Sequence, residues 1–184
     1  MDLKTVDHLL STTRTVRKRL DFDRPVEPVI IQECLDLAIQ APSGSNSQGW
    51  RFMVVTDEEK RAVVAGYYRD QFRKYIRSRS AGPDLDANDP RAQRASKVAS
   101  SAVYLSANMH KVPVLIIPCV EGRVEDSGSV LAQASIYGSI LPATWSLMLA
   151  LRSRGLGAAW TTLHLAYETE VAEVLGIPET MTQA

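Results

Sequence analysis

Apolar positions follow two rhythms along this chain, a helical one that dominates and short continuous runs that interrupt it. Val6, Leu9 and Leu10 repeat at helical spacing from Thr5 to Leu10, and Ser11-Thr12-Thr13 then breaks the pattern into a basic turn. Pro25-Val26-Glu27-Pro28 reads as a stiff extended linker. After it, Val29, Ile30, Cys34, Leu35, Leu37, Ala38 and Ile39 mark a helix stopped at Pro42. The run from Trp50 to Val55 predicts a first strand, and Thr56 or Asp57 caps a following helix that carries Val63, Val64, Tyr67, Tyr68, Phe72 and Tyr75.

From Ser78 to Pro90 the chain has almost no apolar content and two prolines, which predicts a mobile surface loop, either a tolerated insertion or a lid. Residues 92–110 predict a helix. Pro113 to Val120 is a continuous apolar run and predicts a strand buried on both faces. A polar loop over 122–128 leads to a long helix from Val130 to Arg152, apolar on too many sides for a surface helix and expected to kink at Pro142. Such a helix belongs in a core or at a subunit interface. Gly155-Leu156-Gly157 ends it, Ala158 to Leu163 predicts a third strand, and Glu168 to Leu175 a terminal helix stopped by Gly176-Ile177-Pro178. Strands alternating with helices place the fold in the α+β class, of α/β type, and 184 residues make a single domain over 1–184.

Charge and cysteine content narrow the partners. Lysines and arginines number 21 against 21 acidic residues, which removes a global reason to expect nucleic acid or anionic membrane. Arg14, Arg17, Lys18, Arg19 and Arg24 are locally basic, open to reading as a nucleic-acid arm, a solvated helix face or an anion site; composition alone favours the solvated face. Cys34 and Cys119 have no paired spacing and read as small core residues, and His8, His110 and His164 have no metal-ligand spacing. With no signal-peptide pattern and no stretch of about 20 apolar residues, a cytoplasmic location is the expectation.

The chemistry concentrates in Ala41-Pro42-Ser43-Gly44-Ser45-Asn46-Ser47-Gln48-Gly49-Trp50, where small hydroxyl and amide side chains offer donors and acceptors without bulk, as a planar ligand with many hydrogen-bonding groups requires. Thr13-Arg14-Thr15-Val16-Arg17 lies upstream, and Gly155-Leu156-Gly157-Ala158-Ala159-Trp160-Thr161-Thr162 downstream. Together these three stretches resemble the signatures of the nitroreductase family of flavoproteins: Arg-Arg-Ser-x-Arg, then Ala-Pro-Ser-x-x-Asn-x-Gln-Pro-Trp, then a late Gly-Leu-Gly followed by a tryptophan. The resemblance runs from about residue 8 to 180, and the middle signature is the most specific.

The resemblance implies a central mixed sheet flanked by helices, a homodimer joined through the long helix, and FMN as cofactor with NAD(P)H as reductant. It implies an electron acceptor such as a nitroaromatic or quinone. It assigns flavin contacts to Arg14, Thr15 and Arg17, to Pro42, Ser43, Asn46 and Gln48 from the second subunit's side, and to Trp160, Thr161 and Thr162 near the ring. Two positions depart from the family pattern: Thr13 stands where the first arginine would be, and Gly49 where the proline would be. The family's C-terminal strand and arm are expected to be lacking, since the sequence ends at Ala184 where that strand would begin, and phosphate binding then rests on Arg14 and Arg17. A non-catalytic flavin-binding or sensing protein shares every one of these motifs, and a flavin-dependent dehalogenase or ring-cleaving relative is a further possibility. A nicotinamide-binding Rossmann domain is excluded because Thr56-Asp57-Glu58-Glu59-Lys60, with no glycine, follows the first strand. Trp50 and Trp160 read more readily as core aromatics than as ring platforms, and Ser43 and Asn46 as turn formers.

Overall fold

The structure, a computed structural model, describes residues 2–78 and 89–184. Six α-helices and three strands follow one another as α1 Leu3–Thr12, α2 Pro28–Ala38, β1 Trp50–Val55, α3 Glu58–Ser78, α4 Pro90–Asn108, β2 Leu115–Glu121, α5 Val130–Ser153, α6 Glu168–Leu175 and β3 Met181–Gln183. The loop expected from Ser78 to Pro90, with its reading as a lid, falls almost wholly on residues outside those described.

Local chemistry sets the helix ends. The Asp2 carboxylate accepts from the backbone N–H groups of Lys4 and Thr5, Asp89 from Arg91, and Ser129 from Ala132, each satisfying donors that a first turn leaves without partners. Pro28 and Pro90 open α2 and α4, where a missing N–H costs nothing. Gly176, at φ 70°, closes α6 in the left-handed conformation.

The sheet has the order β1-β2-β3 and both ladders are antiparallel, where a mixed sheet was expected. Trp50 pairs with Val120 and Val55 with Leu115. Alternation along the strands sends Met53, Val55, Ile117 and Cys119 to a core shared with Val64 of α3 and with Val171 and Leu175 of α6. Phe52, Val54 and Ile116 go to the opposite face, against Ile31, Cys34 and Ala38 of α2 and Leu147 and Leu151 of α5. The sheet is thus covered on both sides, which explains the unbroken apolar run of β2.

Two expectations about strands are corrected. Ala158–Leu163 is not a strand: the Ala158 carbonyl accepts from the Val16 N–H at 2.9 Å, which ties this segment to the N-terminal turn, and Leu163–Tyr167 closes into a 3₁₀ turn. A strand does form at Met181–Gln183, where the chain was expected to stop short of one. Gln183 pairs with Cys119, and Met181 with Glu121. Arg123 anchors it by donating to the Met181 carbonyl at 2.6 Å and to the Glu168 carboxylate, which also accepts from the Gln183 N–H at 3.0 Å.

Hydropathy also needs packing to be read correctly. Val130–Ser153 is long and apolar enough to cross a bilayer by composition, contrary to the reading of the sequence, but Ile140, Ala143 and Leu147 are buried in the core. Its opposite face leaves Tyr137, Leu141 and Trp145 exposed at one-turn intervals.

Candidate functional site

The N-terminal turn begins where α1 ends. Thr13 is buried, and both its N–H and its hydroxyl donate to the Leu9 carbonyl, at 3.1 and 2.6 Å, so the position that departs from the family pattern acts as a helix stop. The chain then turns and meets the Gly155–Thr162 segment at the Val16–Ala158 hydrogen bond. The second glycine of Gly155-Leu156-Gly157 has a steric reason here: a Cβ at Gly157 would lie 3.1 Å from both Cβ and Cγ1 of Val16.

This junction brings one group of expected site residues together. Arg14 and Thr15 are exposed on the turn, and Arg14 Nη1 donates to its neighbour's carbonyl, that of Thr13, at 2.7 Å. Arg17 is half-buried and donates to Ser101 Oγ on α4 at 3.1 Å, while Lys18 donates to Ser100 Oγ at 2.7 Å. Arg17 lies near enough to the Tyr68 hydroxyl to favour its ionised form, although burial prevails and raises the Tyr68 pKa. Across the junction, Trp160 and Thr161 are half-buried and Thr162 is exposed. The Trp160 indole N–H is buried without a partner.

The second group sits on α5. Gly44 N–H donates to Ser139 Oγ at 2.9 Å, and a Cβ at Gly44 would come within 2.6 Å of Ser135 Oγ, so the loop lies directly on the helix. Ser45, Asn46 and Gln48 all take positive φ, at 52°, 53° and 51°, a conformation costly for side-chain-bearing residues and frequent at ligand sites. Ser43 Oγ accepts from the Gln48 N–H at 3.1 Å, and Gln48 Nε2 donates to Asn46 Oδ1 at 3.0 Å. Pro42, Asn46 and Gln48 are exposed and Ser43 is half-buried. Among the described residues no hydrogen bond joins this loop to Arg14–Arg17 or to Trp160–Thr162.

Several participants escaped the reading of the sequence. Ser100 and Ser101 meet the basic turn from more than 80 positions away, and no local pattern marks them. Ser135 and Ser139 did leave a trace, as two hydroxyls one turn apart in an otherwise apolar helix. His164 is a buried core histidine, as expected for a structural residue, and burial pushes its imidazole down to about 4 despite the nearby Glu168 carboxylate. Among the described residues no group of three or more His, Cys, Asp or Glu side chains is placed to hold a metal ion. The donor set that remains suits an organic anion with a polar ring edge: an exposed guanidinium, hydroxyls, side-chain amides and a buried indole N–H without a partner.

Comparison with known proteins gives consistent matches. The model of the nitroreductase family matches residues 10–184. The chain is similar to a 4-nitrobenzoate reductase from Nocardioides sp. (strain LMS-CY), 27% identical over 198 residues, covering 96% of this chain and 76% of that protein. It is similar to a 5,6-dimethylbenzimidazole synthase from Rhodospirillum rubrum, 29% identical over 164 residues, covering 86% of this chain and 69% of that protein. Its fold is shared with the crystal structure of an FMN-dependent nitroreductase from Mycobacterium smegmatis in complex with NADPH, at a TM-score of 0.69 and 19% identity, over 98% of this chain and 84% of that one.

Proposed function

This chain belongs to the nitroreductase family, and from that premise we propose that it is a cytoplasmic, homodimeric, FMN-dependent NAD(P)H oxidoreductase acting on a nitroaromatic, quinone or similar small acceptor. The observation that carries the reading is the Val16–Ala158 junction, which sets the arginine turn beside the Trp160 segment. Bound FMN would supply the hydride chemistry, and the protein's task is to hold and tune it.

Arg14 and Arg17 offer charge-assisted donors to phosphate or to ring oxygens, and Thr15 a hydroxyl. Trp160, Thr161 and Thr162 line the reactive side of the ring, where a backbone donor favours the reduced, anionic flavin. Pro42, Ser43, Asn46 and Gln48 reach the ring from the second subunit. Among the described residues no hydrogen bond joins them to Arg14–Arg17 within one chain, which supports that assignment. The exposed row of Tyr137, Leu141 and Trp145 supplies an apolar face for the dimer.

The test is alternation. Protein loaded with FMN and mixed anaerobically with NADPH or NADH should lose its yellow absorbance, and 4-nitrobenzoate or menadione should restore it. A bound flavin that neither nicotinamide reduces overturns the proposal in favour of a non-catalytic flavin-binding protein.

A further inference from the structure

Two stretches of cations without carboxylates meet on one face of the molecule. α4 carries Arg91, Arg94 and Lys97 and no acidic residue, and the turn over 14–18 carries Arg14, Arg17 and Lys18 and none either, in a chain whose charges balance at 21 against 21. Arg91 is paired with Asp89 at 2.7 Å. Among the described residues no ion pair engages the other five. Three contacts fix which side of α4 faces the turn: Arg17 donates to Ser101 Oγ, Lys18 donates to Ser100 Oγ, and the Tyr104 ring stacks on Phe22 at 6.2 Å. Arg94, Lys97, Ser101 and Tyr104 follow one another at spacings of three and four residues, which makes them one stripe of the helix. Lys97 therefore stands one turn beyond Ser101 on that side, and Arg94 two turns beyond it.

Lys18, Arg94 and Lys97 are all exposed, and like charges gathered this way repel without a carboxylate to relieve them. Ser101 gives its own proton to the Val98 carbonyl at 2.8 Å, whereas the exposed Ser100 hydroxyl accepts from Lys18 and keeps its proton to donate. FMN brings one phosphate, for which Arg14 and Arg17 are the proposed donors. Two lysines, an arginine and a hydroxyl remain, the donor set of a second phosphate monoester.

Given the oxidoreductase reading above, on which this assignment rests, we propose that Lys18, Arg94, Lys97 and Ser100 bind the 2′-phosphate of the reductant, which makes NADPH the preferred nucleotide. NADPH and NADH share every group but that phosphate, which adds about 1.5–2 negative charges at pH 7. The 2′-hydroxyl of NADH offers the three cations no charge. A nucleic acid or an anionic membrane needs a wider field than one helix stripe on a chain of zero net charge supplies.

The probes are adenosine 2′,5′-bisphosphate and AMP, titrated by calorimetry into FMN-saturated protein so that the flavin phosphate already occupies its own donors. The bisphosphate should bind about tenfold more tightly or better. Lys18→Ala and Lys97→Ala should each weaken it about three- to tenfold, and in Lys97→Ala the AMP and FMN dissociation constants should not move. In anaerobic flavin reduction the same variants should lower the NADPH-to-NADH ratio of kcat/KM by a like factor, through KM. Arg91→Ala, which removes a cation already paired with Asp89, should change neither measurement. Equal affinity for the two probes overturns the proposal, as does displacement of the bisphosphate by inorganic phosphate at comparable concentration, the mark of a surface that takes any anion. Reduction by NADH and NADPH with the same KM overturns it too and leaves the oxidoreductase reading standing; reduction by neither overturns both.

Discussion

Arg17 Nη1 donates to Ser101 Oγ at 3.1 Å, so the guanidinium proposed to hold the flavin engages a helix 84 positions away. If Arg17 must leave Ser101 to reach FMN, the two contacts compete. Ser101→Ala should then raise FMN affinity about two- to threefold, with a stability cost below about 1 kcal/mol. Fluorescence titration of FMN checks the first figure and urea unfolding the second.

The contact between Gly157 and Val16 has no slack. In Gly157→Ala the new methyl meets the Cβ of Val16, an atom that moves only with its backbone, so the junction must open by a few tenths of an ångström. A loss of about 1–2 kcal/mol of stability and several-fold weaker FMN binding are expected. Gly66→Ala is the control, because nothing lies within 4 Å of a Cβ there and the residue is inside α3. It should stabilise the protein by up to about 1 kcal/mol and leave flavin affinity alone.

The exposed row on α5 predicts the oligomeric state. Trp145 is 41% exposed and Leu141 36%, and an aspartate at either should convert a dimer to monomers in sedimentation. Because the Asn46 and Gln48 amides are proposed to reach the flavin across the dimer, FMN affinity should fall with dissociation. A monomer that binds FMN as tightly as the parent would show that one chain builds the site alone.

Much of this architecture was legible in the sequence. Trp50–Val55 and Glu168–Leu175 fall where apolar runs and glycine or proline punctuation place them, whereas the helix expected over 92–110 begins two residues earlier, at Pro90, behind an Asp89 cap. The Ala158–Leu163 segment was misread because a half-apolar run looks the same whether it joins a sheet or, as here, passes a backbone bond to Val16. Met181–Gln183 could not be read as a strand from three residues; its place is set by Arg123 and Glu168, both distant in sequence. The candidate site was legible as residue types, since small amides and arginines announce polar recognition. Its division into two groups was not, because it depends on Gly44 resting on Ser139 and on Val16 meeting Ala158.

His164 gives the fold a pH dependence. Its pKa is held at about 4 in the folded protein, against 6.5 for an ordinary histidine, so between these values the unfolded chain binds a proton that the folded one does not. Stability from this residue is complete above pH 6.5 and is lost as pH falls toward 4, with a span of about 3 kcal/mol. Urea unfolding of parent and His164→Gln from pH 4 to 7 should show the steeper fall in the parent. Parallel curves would mean that His164 titrates normally.

The central claim is that the N-terminal arginine turn grips FMN, and the most direct measurement is the FMN dissociation constant of Arg17→Ala beside that of Arg19→Ala, with circular dichroism to confirm that both are folded. A charge-assisted bond is worth about 1.5–3 kcal/mol, so Arg17→Ala should bind FMN about ten- to a hundredfold more weakly, purify pale and regain colour in excess cofactor. Arg19→Ala, which removes an exposed side chain, should change the constant by less than about twofold. The opposite pattern, with Arg17→Ala binding as tightly as the parent and Arg19→Ala losing its flavin, would contradict the placement of the cofactor on this turn.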